Sequence, residues 1–509
     1  MIGALGRLIE ESTIVQMLET ALSRLADAVG DSAAAKVAGR IQDACRRSLV
    51  LPALVFTPPS WAHWTDSSRL IGALAQRFKL RPEGDQNGTL PVKIAIWFLV
   101  LFVPISLYVA VYLPAVTLLS DGVLLAAAVI LLIETKAKGW AFRATPLDLP
   151  IAVFILVALV SAVLNGESAK IWVLGMRAYL EFAVLYYVVS AAPLTAGDRR
   201  QIFQALLLWG VLMAFIGVAQ HFLHIATPAA WTEAISAAQG ITTRVPGTMG
   251  NPNTYAGYLV LLVAMFAAVA SEKVPLWLRT LAIAGLLLGL GATLFTYSRE
   301  ALLALAGAGL VIGLVGDRRL LVAVVGLGLL AMLADPKVIQ HLAFGFSSTY
   351  SQVSLSYGRL YFWLKSLPLI AAHPLFGVGP GLFGGSVAYD FHSLIELRYG
   401  LESMSTVDSQ WIQLAAETGI LGVLAILWLL IGMIKMAVTV FQRDADPLWR
   451  ALALGTAAGT VGFMIQAVFA GLLEVHQVVL VLWLAAGLTA WRWRQQEMAQ
   501  KAQKAQRRA

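Results

Sequence analysis

The stretch LFTYSREALLALAGAGLV, residues 294–311, places an arginine and a glutamate side by side between two apolar runs. A charged side chain at the centre of a bilayer costs a few kcal/mol or more, depending on the scale, so it is rarely there by accident. Arg299 and Glu300 therefore either lie at a membrane surface or face a polar cavity. The composition and the neighbouring segments of the chain distinguish between these two interpretations.

The composition of the whole chain is that of a membrane protein. Of its 509 residues, 59% are hydrophobic and 13% are charged, and the mean hydropathy is +0.76. Soluble domains are about 45–50% apolar and about 25% charged. The single cysteine, Cys45, excludes an internal disulfide framework and a multi-cysteine metal site. We therefore predict an all-α polytopic integral membrane protein.

Hydropathy indicates about twelve membrane spans, since roughly 20 apolar residues are needed to cross the hydrocarbon core. The predicted spans lie near residues 94–113, 116–134, 148–165, 172–191, 200–222, 254–271, 278–297, 300–316, 318–334, 410–438, 449–472 and 475–493.

Basic residues predict the orientation of these spans. Eleven lysines and arginines precede the first span, which indicates a cytoplasmic N-terminus. With alternating spans, every loop predicted to be internal is basic, and both termini are cytoplasmic. The net charge of +8 is thus explained by membrane orientation, and no nucleic-acid partner is expected. The two long segments 223–253 and 335–409 are predicted to be external.

Three regions follow from this reading. Residues 1–92 are predicted to form a cytoplasmic, amphipathic helical region, residues 93–494 the transmembrane domain, and residues 495–509 a basic cytoplasmic tail. The large external loop carries GRLYFWLKSLPLIAAHPLF, which is aromatic-rich and suits an amphipathic helix at the membrane surface. The glycine-rich GVGPGLFGG that follows is predicted to be a turn.

Arg299 is predicted to lie near the external surface, where it either snorkels to the headgroups or belongs to a cavity. Three other external segments favour the cavity. TTRVPGTMGNPNTYAGYLV supplies Arg244 in a tight polar turn, and SYGRLYFWLKS supplies Arg359. STVDSQWIQLAAETGILGVL places Asp408 at the start of the tenth span and Glu417 inside it.

These segments, in this order and spacing, resemble the O-antigen ligase and O-antigen polymerase superfamily of bacterial envelope glycosyltransferases. The resemblance covers residues 94–493. It rests on Arg244 with its glycines and Asn-Pro-Asn turn, on TYSRE, on HPLFGVGPGLF and on LAAETGILG. Within the superfamily, GTMGNPNTYAGYL and TYSRE are similar to a branch often labelled bicarbonate transporters.

The resemblance implies transfer of a glycan from a polyprenyl-diphosphate carrier to an acceptor hydroxyl on a glycan, a lipid or a protein. The reaction would take place at the external face of the bacterial inner membrane, during synthesis of a cell-surface polysaccharide such as lipopolysaccharide. No metal or cofactor is expected, because arginines can bind the departing diphosphate. The expected catalytic residues are Arg244, Arg299 and Asp408. The expected substrate-binding residues are Asn251, Asn253, Glu300, Arg359, His392 and Glu417.

One departure from the family concerns the group that accepts the proton of the acceptor hydroxyl. The ligases typically carry His-Asn nine and eight residues before the glutamate of the tenth span, where this chain has Asp408 and Ser409. Asp408 either acts as the base or caps the helix. His392, earlier in the external loop, is an alternative base.

Two other functions remain open. A small-anion transporter would bind its substrate through Arg244 and Arg299, but it predicts a site near the bilayer midplane, broken helices and internal repeats. We find no repeat between the two halves, and the charges cluster on the external side, which favours the enzyme. The missing histidine keeps open a non-catalytic role as an assembly partner.

The predicted topology can be tested by cysteine labelling. A cysteine placed at Ser386, in the GLFGGS turn, should react with an impermeant maleimide in intact cells, because segment 335–409 is predicted to be external. Cys45 should stay protected. Reaction of the new cysteine only after permeabilisation would overturn the number of spans.

Overall fold

The computed structural model describes residues 90–110, 113, 117–137, 144–225, 243–316, 326, 340, 343–345, 347–391 and 408–507. All regular secondary structure in these ranges is helical, so the predicted all-α class is confirmed. Most of the predicted N-terminal region, nearly all of the predicted span 318–334, and His392 lie outside the described residues. The helices are α1 Leu90–Ala110, α2 Thr117–Ala137, α3 Asp148–Leu164, α4 Ala169–Leu180, α5 Ala183–Ala191, α6 Ala196–Phe222, α7 Pro252–Ser271, α8 Leu276–Phe295, α9 Arg299–Gly316, α10 Ser348–Tyr357, α11 Arg359–Ala372, α12 Gly385–Phe391, α13 Gln410–Arg443, α14 Pro447–Gln466 and α15 His476–Gln506.

Seven of the described helices are long and apolar enough to cross a membrane, namely α1, α6, α7, α8, α9, α13 and α14. Helices α4 and α5 meet at a bend of 51° and make an eighth span if they are counted as one. Helices α2 and α3 are apolar over shorter lengths. A polytopic membrane protein is thus confirmed, whereas the total of twelve spans stays a prediction.

The described helices, apart from the end of α2, belong to one unit made of residues 89–131 and 138–509. Its centre is α7, which is buried on nearly all sides, as expected for a helix that is apolar all round. Glycines on α14 lie directly against α7: Gly455 faces Met265 and Gly459 faces Leu261. Small residues let membrane helices approach closely, which explains the tight α7–α14 contact.

Ion pairs join the helix ends that the sequence predicts to be internal. Asp444, just after α13, accepts hydrogen bonds from Arg492, Gln496 and the Asp446 backbone. Burial alone would raise the pKa of Asp444, but the hydrogen bonds from Arg492 hold it below its ordinary value. The other pairs at this end are Lys93–Asp198, Arg200–Asp446, Arg450–Glu272 and Arg443–Glu497.

Helix α13 is interrupted at Gly419, whose φ of 65° and ψ of −171° are not helical. The interruption frees backbone groups that a continuous helix would pair, and in a membrane these must find partners within the protein. The segment after α11 supplies them. Val378 and Gly379 donate to the carbonyls of Ala416 and Glu417, both at 2.9 Å.

The same segment also accepts hydrogen bonds from the second half of α13. Ile420 donates to the Pro374 carbonyl at 2.9 Å, and Leu421 donates to that of Leu375 at 3.4 Å. Helix α3 supports this arrangement, since Asn165 Nδ2 donates to the Gly377 carbonyl at 3.0 Å. We call residues 374–386 the glycine loop. The turn predicted for GVGPGLFGG is therefore present. In addition, its backbone forms hydrogen bonds with the groups that the break in α13 leaves unpaired.

Gly419 should not tolerate a side chain. Its backbone conformation is nearly restricted to glycine and costs about 1–3 kcal/mol for other residues, and a Cβ there would lie 2.3 Å from the Leu375 backbone. Gly419→Ala should therefore lower the midpoint of thermal unfolding in detergent strongly. Gly432→Ala, in the helical part of α13, is the matched control and should have a small effect. Equal midpoints for the two variants would contradict this account of the break.

Candidate functional site

The first part of the candidate site is the turn that leads into α7. Gly247 and Gly250 adopt positive φ values of 59° and 69°. Asn251 caps α7, since its side chain accepts from the backbone N–H of Asn253 at 2.8 Å. Arg244 is buried; its Nε donates to the Thr296 carbonyl at 2.9 Å and its Nη2 to Asn253 Oδ1 at 2.6 Å. The predicted tight polar turn is thus present, and Arg244 fastens it to the end of α8.

The second part is the short turn between α8 and α9, which contains TYSRE. Tyr297 has a φ of 51°, an uncommon value for a residue other than glycine. The Val245 N–H donates to the Phe295 carbonyl at 3.0 Å, so the two turns support each other. Such a backbone persists only where its surroundings enforce it, and it often marks a functional site. Here it places Arg299 and Glu300 in the first turn of α9.

Helices α10 and α11 cover this turn. The Arg299 guanidinium lies 4.3 Å from the centre of the Tyr350 ring. Arg359 pairs with two carboxylates: its Nη2 lies 3.4 Å from Glu300 Oε1, and its Nε lies 3.4 Å from Asp408 Oδ2. Residues from four separate segments therefore meet at one site. Sequence reasoning missed Tyr350, because nothing in SSTYSQ distinguishes it.

Arg299 carries a buried polar atom without a partner. Its Nη1 is buried and has no hydrogen-bond partner among the described residues. A buried donor left unpaired costs about 1–3 kcal/mol. A ligand with anionic oxygens would remove this cost, and phosphate oxygens match a guanidinium well. Snorkelling would bring the guanidinium to water or headgroups; Arg299 is partly exposed, but its Nη1 is buried.

Asp408 does not cap α13. The cap is Ser409, whose hydroxyl accepts from the Ile412 N–H at 3.4 Å. Asp408 precedes it with a φ of 46°, a conformation that aspartate tolerates better than most residues. Its side chain is 47% exposed and faces Arg359. The carboxylate is thus partly exposed, with one oxygen beside the Arg359 guanidinium.

Glu417 lies apart from the arginines and holds the glycine loop. Its buried carboxylate accepts from the Tyr179 hydroxyl at 2.7 Å and from the backbone N–H groups of Phe383 and Gly384 at 3.3 and 3.2 Å. These contacts give Glu417 a structural role. Its predicted role in substrate binding stays a prediction, as does that of His392, which lies outside the described residues.

Two further glutamates flank the glycine loop. Glu474 accepts from the Ser386 N–H at 2.8 Å and from the Ser386 hydroxyl at 3.0 Å. Glu167 lies against Gly379, and its two carboxylate oxygens have no hydrogen-bond partner in the described part of the chain. Burial and then the charge of Glu417 raise the pKa of Glu167 to about 8. Burial also raises the pKa of Glu474.

The raised pKa of Glu167 predicts a pH-dependent stability. The folded protein holds this proton more tightly than the unfolded chain, so stability is lost as pH rises from about 4.5 towards about 8. Glu167→Gln should remove this loss. Its unfolding midpoint in detergent should be close to that of the wild type at pH 5 and several degrees higher at pH 8. Identical pH profiles for the two proteins would show that Glu167 does not titrate with folding.

Part of the chain matches a known family. Residues 284–427 match the model of a family described as O-antigen ligase. The matched region runs from α8 to the middle of α13 and includes Arg299, Glu300, Arg359 and Asp408. It supports the resemblance to the O-antigen ligase and polymerase superfamily, whereas nothing supports the branch labelled bicarbonate transporters. No curated protein matches the chain.

Proposed function

We propose that this protein transfers a glycan from a polyprenyl-diphosphate carrier to an acceptor hydroxyl, because residues 284–427 match a family described as O-antigen ligase. The domain and the apolar helices support a membrane ligase or glycosyltransferase role in polysaccharide biosynthesis. The more specific part of the proposal is that the donor carries a diphosphate. The observation that carries it is the buried Nη1 of Arg299, which has no hydrogen-bond partner within the described ranges.

The reaction needs a site that binds negative charge. The acceptor oxygen attacks the anomeric carbon of the glycan, the bond from that carbon to the diphosphate oxygen breaks, and the hydroxyl proton passes to a base. Negative charge grows on the departing diphosphate. A guanidinium held by packing in a water-poor site stabilises that charge without further reorganisation. In our proposal Arg299 has this role, with its guanidinium packed over the Tyr350 ring.

Arg244 and Arg359 have a different role in this proposal. Arg244 is engaged with Asn253 and Thr296, and Arg359 pairs with Glu300 and Asp408. Both therefore position the turns around Arg299 and add positive charge to the site. Charge near a ligand acts over several ångströms in a medium of low dielectric constant, so direct contact with the diphosphate is not required.

A lipid-linked donor fits the surroundings of the site. Helix α11 begins at Arg359, and its Leu364 and Leu367 side chains are exposed. Exposed leucines on a membrane protein are compatible with contact to lipid chains. A donor bound with its diphosphate at Arg299 would thus have apolar surface nearby for its polyprenyl tail.

One observation favours the transporter alternative. Broken helices are typical of transporter binding sites, and α13 is broken at Gly419. However, the freed backbone groups at this break are hydrogen-bonded to the glycine loop, and the arginines lie elsewhere. We therefore favour the enzyme. Uptake of labelled bicarbonate into proteoliposomes that contain the purified protein would support the transporter instead.

Removing the Arg299 guanidinium should abolish most of the transfer activity. Loss of one donor to a developing anion typically costs about 10²–10³-fold in rate. We expect Arg299→Ala to show a loss of this size with labelled lipid-linked oligosaccharide and purified protein. Arg299→Lys should restore little of this activity, since lysine lacks the planar guanidinium that can donate two parallel hydrogen bonds to phosphate oxygens. Tyr350→Phe should keep most activity, because the ring face remains.

Arg279→Ala is the matched control, since it removes an arginine at the opposite end of α8. It should retain activity. Full activity of a well-folded Arg299→Ala protein would refute the proposed role. Inactivity of the wild type with every tested lipid-linked donor would instead favour an assembly partner.

The proton acceptor can be tested at Asp408. If its carboxylate accepts the proton of the acceptor hydroxyl, Asp408→Asn should slow transfer by about 10²–10⁴-fold with little change in donor binding. Asp408→His should keep or raise activity, because it restores the residue that is typical of the ligases. Unchanged turnover in Asp408→Asn would limit Asp408 to holding Arg359 and would direct attention to His392.

A further inference from the structure

A second group of polar side chains lies away from the arginines. Asp121 on α2, Glu181 at the bend between α4 and α5, and His476 at the start of α15 bring their ligand atoms within 4.8 Å of one another. His476 Nε2 lies 3.6 Å from Glu181 Oε2. Their positions in the sequence are far apart, so the fold alone creates this group. None of the three takes part in the proposed glycan transfer.

Glu181 is the most constrained member of the group. Its side chain is only 10% exposed, and its Oε1 atom is buried without a hydrogen-bond partner among the described residues. The second carboxylate, Asp121, lies beside it. Two carboxylates held together inside a membrane protein repel each other unless a proton or a cation lies between them.

Arg177 supplies part of the required positive charge. It pairs with Asp121, and its Nε lies 3.2 Å from Glu181 Oε2. One guanidinium beside two carboxylates and a neutral imidazole leaves one negative charge in excess. A divalent cation would balance both carboxylates. The Arg177 side chain is 40% exposed, so it can turn towards solvent when such an ion enters.

We propose that Asp121, Glu181 and His476 form a binding site for a divalent transition-metal ion, with Zn²⁺ as the probe. One imidazole nitrogen and two carboxylate oxygens are a common ligand set for such ions, whereas Mg²⁺ prefers oxygen ligands alone. Ligand atoms around a tetrahedral zinc ion lie about 3.4 Å apart, given bond lengths of about 2.1 Å. The distance of 3.6 Å between His476 Nε2 and Glu181 Oε2 is close to this value, and the remaining ligand atoms, which all lie within 4.8 Å of one another, would have to move closer to a bound ion.

Such an ion would join three parts of the transmembrane unit. The ligands come from α2, from the bend of α4 and α5, and from the start of α15. Tyr179, two residues before Glu181, donates to Glu417, which holds the glycine loop. The ion would thus fix the bend close to the contact that supports the loop. Bound metal should raise the unfolding midpoint, because it binds the folded state alone.

The experiment is calorimetric titration of Zn²⁺ into the full-length protein in detergent. The protein is purified with a tag that lacks histidine, treated with a chelator, and carries Cys45→Ser so that no thiol competes. We expect one saturable Zn²⁺ site per chain and no comparable site for Mg²⁺. His476→Ala should weaken Zn²⁺ binding at least ~10-fold. His224→Ala, which removes an exposed histidine elsewhere, should leave it unchanged.

Arg177→Gln separates a metal site from an ordinary ion-pair cluster. If Arg177 and the metal compete for the same carboxylates, this variant should bind Zn²⁺ more tightly than the parent. It also keeps the test valid if His476→Ala fails to fold. Absence of saturable Zn²⁺ binding in both the parent and Arg177→Gln, or unchanged binding in a folded His476→Ala or Asp121→Asn protein, would overturn the proposal.

Discussion

The hydrogen bonds across the break in α13 are the constraint on which the rest of the site depends. A helix that loses its regular backbone pairing within the membrane must recover those bonds from the protein. Here the glycine loop supplies both donors and acceptors on the two sides of Gly419. The loop follows α11 directly, so its fixed position also fixes α11. The first half of α13 is fixed by the same bonds.

The contact between Arg359 and Asp408 follows from that constraint. Arg359 begins α11, and Asp408 immediately precedes the capped start of α13. Their side chains meet because the glycine loop holds α11 and the first half of α13 together. Glu417 strengthens this connection, since its carboxylate accepts hydrogen bonds from two backbone N–H groups of the loop. Glu417, which does not contact Arg359 in the described structure, thus helps to hold Arg359 and Asp408 together through the glycine loop.

The sequence indicated which residues lie near one another better than it indicated the contacts they make. Arg244 contacts Asn253, and Arg359 contacts Glu300 and Asp408. The roles differ because partners come from remote segments: Ser409 caps α13 in place of Asp408, and Glu417 binds Tyr179 on α4. Periodicity and motif spacing carry no information about such pairings. A single glycine in an apolar run, such as Gly419, is equally compatible with a continuous helix. The cluster of Asp121, Glu181 and His476 was missed for the same reason.

Charge balance connects the proposed proton acceptor, Asp408, to the proposed binding of a diphosphate donor. The described site contains the positive charges of Arg244, Arg299 and Arg359 and the negative charges of Glu300 and Asp408, which leaves one positive charge in excess. A neutral histidine in place of Asp408 would leave two in excess and would release Arg359 from one of its partners. An aspartate at this position restrains the neighbouring Arg359 guanidinium and, compared with a neutral histidine, lowers the attraction of the site for an anion such as the proposed diphosphate leaving group. If the proposed roles hold, the proton acceptor and the charge that binds the diphosphate cannot be varied independently in this site, and a change at Asp408 acts on both.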